Sequence, residues 1–140
     1  MKTSWQILIL FSAMMLMSSC QKEIIIADNN LFHTWEAESF ISLESVAYQK
    51  NEGTPILLTF KRDGTYHLKL DINSGGGTFH VRKDHIIEMG FPALTEACCD
   101  SPFSVKLANT LPKVTSYRMM GRYLYLNVPV WGDIKLEMVE

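Results

Sequence analysis

The sequence contains few cysteines and almost no excess charge of one sign. It has 140 residues, three of them cysteines, and its 13 Lys and Arg residues are nearly balanced by 15 Asp and Glu residues. A nearly neutral chain lacks the basic surface that binding to nucleic acid phosphates requires. A chain of this length forms one domain and buries enough apolar surface to fold without a metal or a disulfide. We therefore expect no nucleic acid partner.

Motifs for catalysis are also absent. The sequence has no G-x-S-x-G, no H-E-x-x-H and no G-x-x-x-x-G-K, so it offers no sequence signature of a hydrolase, a zinc peptidase or a phosphate-binding loop. Gly75–Gly77 is predicted to form a loop, and Asp63 and Asp71 are assigned to a turn and to the surface. We predict that the protein is not an enzyme and has no catalytic residue, metal or cofactor. Separate predicted strands contain the four histidines, His33, His67, His80 and His85.

A long hydrophobic run occurs once, at the N-terminus. Lys2 precedes an apolar segment, Ile7–Met17, which is shorter than the roughly 20 helical residues needed to cross a bilayer. Ser18, Ser19 and Cys20 follow and resemble a bacterial lipobox. We predict a lipoprotein signal peptide over 1–19, lipidation of Cys20 and a tether over 20–30. The alternative is a plain secretory signal that is cleaved near Ser19.

The residue after Cys20 bears on location. It is Gln21, whereas bacterial lipoproteins that stay in the inner membrane often have Asp there, so this resemblance favours the outer membrane. Two or three acyl chains anchor a protein stably. We expect a monomer that is attached to the membrane by its lipid, on either the periplasmic or the surface-exposed face.

The region 31–140 shows the alternation that is typical of strands with one buried face. In Thr65–Ile72 the apolar residues alternate with polar ones, and Asp63-Gly64 before it predicts a tight hairpin. We predict a mainly β (α+β) fold, a small antiparallel barrel-like curved sheet of about seven to eight strands with one short helix. The predicted strands are Leu31–Ile41, Ile56–Lys61, Thr65–Ile72, Phe79–Val81, His85–Met89, Tyr117–Met120, Tyr123–Val128 and Ile134–Met138.

One segment has helical periodicity. Asp100 or Ser101 can cap a helix over Ser101–Leu111, with Pro102 in its first turn, where a missing N–H costs nothing. Pro112 ends it. Its apolar residues recur every four positions and are predicted to pack on the sheet; they are Phe103, Leu107 and Leu111.

Several of these segments together resemble the META domain family. They are Asn73 followed by Gly75–Gly77, the run Thr95–Pro102, the short helix, and Tyr117–Leu126. The resemblance covers Leu31–Val139, and we assign a META-like domain to 31–140. The family's HslJ-like members include a heat-shock-inducible lipoprotein of enteric bacteria. The resemblance therefore implies a small antiparallel barrel-like sheet with one helix, and a role in envelope stress or maintenance.

The cysteines depart from the family pattern. Members often have a Cys immediately before the Asn, able to pair with a Cys at the position of Cys99 or Cys98, but here Ile72 stands in that place. With Cys20 lipidated, Cys98 and Cys99 remain as an adjacent pair in an oxidising compartment. Three alternatives stay open: a vicinal disulfide, two packed thiols, or an intermolecular bridge or metal site.

Aromatic residues offer one candidate binding patch for a sugar or a peptide; in a small barrel the alternative is that they belong to the core. Two further functions are considered. A closed barrel can carry a small apolar ligand, and a strand edge or the Tyr-rich hairpin can bind an envelope protein, as an inhibitor or an adaptor does. The candidate patch consists of Tyr117, Tyr123, Tyr125 and Trp131.

Overall fold

The structure is a computed structural model that describes residues 28–43, 47–50 and 53–140. The predicted signal peptide, Cys20 and most of the predicted tether lie outside the described residues. The described part contains ten strands and one α-helix. They are β1 (Thr34–Ser42), β2 (Ala47–Gln49), β3 (Leu57–Phe60), β4 (Thr65–Lys69), β5 (Ser74–Val81), β6 (Ile87–Met89), β7 (Ala93–Leu94), α1 (Pro102–Thr110), β8 (Ser116–Met120), β9 (Tyr123–Val128) and β10 (Gly132–Met138).

All ten strands belong to one antiparallel sheet in the order β6-β5-β4-β3-β1-β10-β9-β8, with β2 paired to β1 and β7 paired to β5. A bridge between Ile86 and Ser116 connects the two ends of this order, so the sheet nearly closes into a barrel. The predicted antiparallel barrel-like sheet with one helix is therefore confirmed. The main order contains eight strands, and two short strands of three and two residues, β2 and β7, pair beside it.

Alternation places the core side chains inside the sheet. On β4, Tyr66 and Leu68 are buried while His67 and Lys69 are exposed. Trp35 of β1 is fully buried, and its indole Nε1–H donates to the carbonyl oxygen of Leu31 at 3.1 Å. The polar tip of this large ring is thereby satisfied inside the core. The largest buried aromatic side chains are Trp35, Phe40, Phe60 and Phe79.

Ile72 does not face the core as its place in the predicted strand suggested. Strand β4 ends at Lys69, and the N–H of Leu70 donates to the carbonyl oxygen of Asn73 at 2.8 Å. Asp71 and Ile72 are therefore the two central residues of the β4–β5 turn, where strand alternation no longer applies. Ile72 is 56% exposed.

The glycine run Gly75–Gly77 lies within β5 and is not the predicted loop. Side chains are excluded there because neighbouring backbone passes very close: a Cβ on Gly76 would overlap the carbonyl oxygen of Tyr66, and one on Gly75 would overlap that of Ala93. Glycine in a strand often marks such a close approach. The run therefore allows β5 to pack tightly between β4 and β7.

Helix α1 begins and packs as its sequence predicts. Ser101 is the N-cap, and its Oγ accepts from the N–H of Ser104 at 3.2 Å. Phe103 and Leu107 are buried, and the ring centroids of Phe103 and Phe40 lie 5.0 Å apart, which attaches the helix to β1. The helix ends at Thr110, and a 3-10 turn over Leu111–Lys113 follows it.

Candidate functional site

The side chain of Asn73 connects the β4–β5 turn to the segment before α1. Asn73 is only 7% exposed. Its Nδ2 donates to the carbonyl oxygen of Ala97 at 2.7 Å and to Oδ2 of Asp100 at 2.6 Å. Its Oδ1 accepts from Oγ1 of Thr95 and from the N–H of Ala97, both at 2.8 Å. This amide thus uses both of its donor hydrogens and both acceptor lone pairs within the protein.

Asp100 completes the connection from the other side. Its Oδ1 accepts from the N–H groups of Ile72 at 2.8 Å and Asn73 at 3.1 Å. Burial raises the pKa of Asp100, but the hydrogen bonds from Asn73 and Ile72 lower it by more, so its pKa lies below the ordinary value. We call the set Asn73, Thr95, Ala97 and Asp100 the Asn73–Asp100 clamp.

Asp71 makes a second connection, between the same turn and the first turn of α1. Its Oδ2 accepts from the N–H and the Oγ–H of Ser101, at 3.1 and 2.5 Å, and from the Oγ–H of Ser104. Burial raises the pKa of Asp71, and these bonds lower it further than burial raises it, so the net shift is downward. The sequence assigned Asp71 to the surface, whereas it is half-buried and holds the helix start.

The side chains of this polar cluster bind backbone groups of the β4–β5 turn and of the segment before α1. The bonds of Asp71 and Asp100 come from serine hydroxyls, an amide and backbone N–H groups. Within 28–43, 47–50 and 53–140, no group of three or more His, Cys, Asp or Glu side chains is arranged to hold a metal ion. The four histidines are all exposed and lie apart in the chain: His33 precedes β1, His67 is on β4, His80 is on β5, and His85 is in the 3-10 turn before β6.

Cys98 and Cys99 lie between the two clamp residues Ala97 and Asp100. Both cysteines are exposed. Their Sγ atoms are joined, which corresponds to the vicinal disulfide among the three alternatives raised by the sequence. Which redox state predominates in the cell stays a prediction.

The structure does not bring the four candidate aromatic residues into one surface. Tyr117 of β8 is 4% exposed and belongs to the core, where its ring meets that of His85 at 5.1 Å. Tyr123 and Tyr125 of β9 lie on the opposite, outer face of the sheet, between the buried residues of the same strand. Trp131 packs on Phe40, with ring centroids 5.7 Å apart. The patch predicted from these four residues therefore divides into three places.

The outer face of β9 has cations stacked on its two tyrosines. The Arg118 guanidinium carbon lies 4.1 Å from the ring centroid of Tyr125, and Lys135 Nζ lies 4.0 Å from that of Tyr123. The same cations pair with carboxylates, because Arg118 Nη2 is 2.8 Å from Asp133 Oδ2 and Lys135 Nζ is 2.6 Å from Glu38 Oε2. We call Arg118, Tyr123, Tyr125, Asp133 and Lys135 the β9 outer face. One face of each tyrosine ring is thus already occupied by a cation.

The residues missed by the sequence analysis are the clamp partners Thr95 and Asp100 and the helix anchor Asp71. Their roles depend on contacts between residues that are 22 to 33 positions apart in the chain. The one sequence feature that pointed to these residues was the family resemblance, which rests in part on Asn73 and on the run Thr95–Pro102. The sequence identified these segments without indicating that they bind each other.

The fold and this cluster define a small antiparallel barrel-like β domain with one helix, whose β4–β5 turn is fastened to the segment before that helix. A family model matches residues 29–130, and the chain belongs to the META domain family. No curated protein matches the chain. Within the described residues, no helix has the length and hydropathy needed to cross a membrane.

Two solved structures share the fold. A DUF4847 family protein from Bacteroides vulgatus is 16% identical with a TM-score of 0.58, over 76% of this chain and 92% of the other. A protein from Burkholderia xenovorans is 17% identical with a TM-score of 0.62, over 77% of this chain and 82% of the other. At this identity the likeness concerns the fold alone.

Proposed function

We propose that the protein is a lipid-anchored, non-enzymatic META domain protein of the bacterial outer membrane, and that it serves envelope stress resistance or maintenance by binding another protein. The observation that carries the proposal is the sequence before the domain. Lys2, the apolar run Ile7–Met17 and Ser18-Ser19-Cys20 have the order and length of a lipoprotein signal. The stress or maintenance role comes from the family resemblance.

The packed interior favours a surface function over a small-ligand carrier. A barrel that carries a ligand needs interior space. Here Trp35, Phe40, Phe60 and Phe79 project inward from three strands, each with at most 2% of its surface exposed. Phe60 and Phe79 stack edge to face with centroids 4.9 Å apart. Large side chains thus occupy the space that a ligand would need.

The polar cluster supports a non-enzymatic role. A catalytic carboxylate must exchange protons or bind a reacting group. The carboxylate of Asp100 instead accepts bonds from the β4–β5 turn, and that of Asp71 accepts bonds from the helix start. Their positions are those of structural acceptors.

Metabolic labelling with an alkyne-bearing fatty acid tests the lipid anchor. We expect the wild-type chain to be labelled and to fractionate with the outer membrane, and Cys20→Ala to lose the label. The matched control is the double variant Cys98→Ser with Cys99→Ser, which removes the other two cysteines and keeps the label. An unlabelled wild-type chain in the soluble periplasm would instead support a plain secretory signal.

Crosslinking in intact cells tests the binding role. We expect the wild-type chain to enrich the same envelope protein in repeated experiments, and repeated experiments without an enriched protein would contradict it. Native mass spectrometry of the chain from its own host tests the carrier alternative separately. Recovery of the acylated chain without a bound small molecule agrees with the proposal, whereas a stoichiometric apolar ligand would favour the carrier.

A further inference from the structure

The exposed pair Cys98 and Cys99 lies in a short segment that is held at both ends. On one side, Ala97 is bound through its N–H and its carbonyl oxygen to the side chain of Asn73. On the other side, the Asp100 carboxylate is bound to the N–H groups of Ile72 and Asn73. The clamp therefore holds the flanking residues on one neighbouring turn, while the two cysteines between them remain open to solvent.

The two sulfurs are positioned for reaction with each other. Cys98 and Cys99 are adjacent in the chain, and their Sγ atoms are joined to each other. No other cysteine lies in the part of the chain that the structure describes, since the third, Cys20, precedes it. Nor does either cysteine belong to a metal-binding group of three or more ligands among the described residues. Each cysteine thus has its neighbour as its nearest thiol partner.

We propose that Cys98 and Cys99 form a redox-reactive site, which an external disulfide oxidises from a dithiol to a vicinal disulfide and which external thiols reduce again by the reverse exchange. The external disulfide is either the oxidised form of a small thiol, such as glutathione disulfide, or a disulfide in a protein oxidoreductase. Exposure of both sulfurs matters here, because an attacking group must approach a disulfide sulfur directly. The site depends on the clamp and the cysteine pair and is independent of lipidation at Cys20.

The oxidation proceeds in two exchange steps. The thiolate of one cysteine attacks the external disulfide, forming a mixed disulfide and releasing one external thiolate. The thiolate of the adjacent cysteine then attacks the protein sulfur of that mixed disulfide, closing the Cys98–Cys99 bond and releasing the second external thiolate. Two electrons pass from the pair to the external disulfide, and the two protons lost by the cysteines end on the two released thiols.

The test uses the full-length protein, purified in detergent and reduced with dithiothreitol. After removal of the reductant, the protein is incubated with glutathione disulfide, alkylated, digested and analysed by mass spectrometry. We expect the wild-type peptide that contains Cys98 and Cys99 to lose two hydrogens and to carry neither glutathione nor an alkyl group. Dithiothreitol should restore two alkylatable thiols.

Single variants isolate the second step. Cys98→Ser and Cys99→Ser each keep one thiol and lack the thiol that would displace glutathione. We expect both variants to accumulate a stable mixed disulfide with glutathione under conditions in which the wild-type chain accumulates none. Circular dichroism of each variant confirms that it folds, and the wild-type experiment decides the outcome if a variant does not.

Two results would overturn the proposal. One is a wild-type chain that keeps glutathione on Cys98 or Cys99 without closing the ring. The other is a wild-type chain that keeps two alkylatable thiols after prolonged exposure to glutathione disulfide. Because the analysis resolves individual peptides, an unlipidated Cys20 would be detected on a different peptide, so failure of the lipid anchor is distinguishable from failure of this proposal.

Discussion

The Asn73–Asp100 clamp and the β9 outer face are both networks of polar side chains, but they differ in their exposure to water. Asn73 is 7% exposed and binds backbone groups of a distant segment. On the β9 outer face, Arg118 has a 49% exposed side chain, and its partners are side chains. Water replaces lost partners at an exposed site and replaces them poorly at a buried one. The clamp should therefore determine the conformation of the segment that it holds. On the β9 outer face, water should compensate for contacts that are lost.

The largest difference is expected for substitutions of two glycines, one near each region. In Gly76→Ala, next to the clamp, the new Cβ would overlap the carbonyl oxygen of Tyr66. Because backbone must move to relieve this overlap, we expect the free energy of unfolding to fall by at least about 3 kcal/mol. Urea denaturation of the wild-type and variant proteins measures the change.

Gly121→Ala is the matched control, in the hairpin that joins β8 to β9. A Cβ there meets nothing within 4 Å, but φ is +60°, a region that favours glycine. We expect a loss of about 1 kcal/mol from backbone strain alone. Equal losses in the two variants would show that close packing of β5 does not limit substitution.

The second prediction compares the clamp residue Asn73 with Asn127, which binds Asp133 of the β9 outer face. Asn73→Ala removes four side-chain hydrogen bonds of a buried amide, and Thr95, Ala97 and Asp100 lose their contacts with it. We expect the free energy of unfolding to fall by about 2 to 3 kcal/mol. Asn127→Ala, whose side chain binds Gly132 and Asp133 on the sheet surface, should cost less than about 1 kcal/mol.

Hydrogen exchange adds a local readout to the same pair of variants. Asn73→Ala should raise the exchange rate of the Ala97 amide, which donates to Asn73, relative to the core strands. Asn127→Ala should leave this amide unchanged. Unaltered protection of Ala97 in Asn73→Ala would mean that other contacts hold the segment.

The third prediction concerns acid. The pKa values of Asp71 and Asp100 are lowered in the folded protein, so below the ordinary aspartate pKa of about 3.9 the unfolded chain binds more protons than the folded one. Their stabilisation is present near neutral pH and is lost as the pH falls below about 4. Wild-type protein and Asp100→Asn should therefore differ in stability by a constant amount from about pH 7 to pH 5, and by less at about pH 3. A difference that is independent of pH over this range would contradict it.

Much of the fold could be predicted because it depends on local patterns. Alternation in Thr65–Lys69 and Tyr123–Val128 identified these strands, and Pro102 with the spacing of Phe103 and Leu107 identified the helix. Alternation is a local consequence of one buried face. It fails where that cause is absent, as at Ile72 in a turn. It also fails in Gly75–Gly77, which has no side chains to alternate.

The site was predictable only in part, because its bonds join distant segments. The sequence separates Asn73 from Asp100 by 27 positions, and no periodicity encodes their contact. The same limitation affected the aromatic residues. Tyr117 and Tyr125 are close in the chain, yet the register pairs Tyr117 with Leu126 and Arg118 with Tyr125, which places the two tyrosines on opposite faces of the sheet. Only the pairing of β8 with β9 determines this difference.

The smallest effect is expected on the β9 outer face. Arg118→Ala removes the cation from Tyr125 and the ion pair with Asp133, and both contacts are exposed enough for water to replace them. We expect the free energy of unfolding to fall by less than about 1 kcal/mol. A double-mutant cycle with Tyr125→Leu isolates the cation–ring contact, for which we expect a coupling of about 0.5 kcal/mol. A coupling above about 2 kcal/mol would place this face with the clamp among the structure-determining regions, and the contrast between the two would then not depend on exposure.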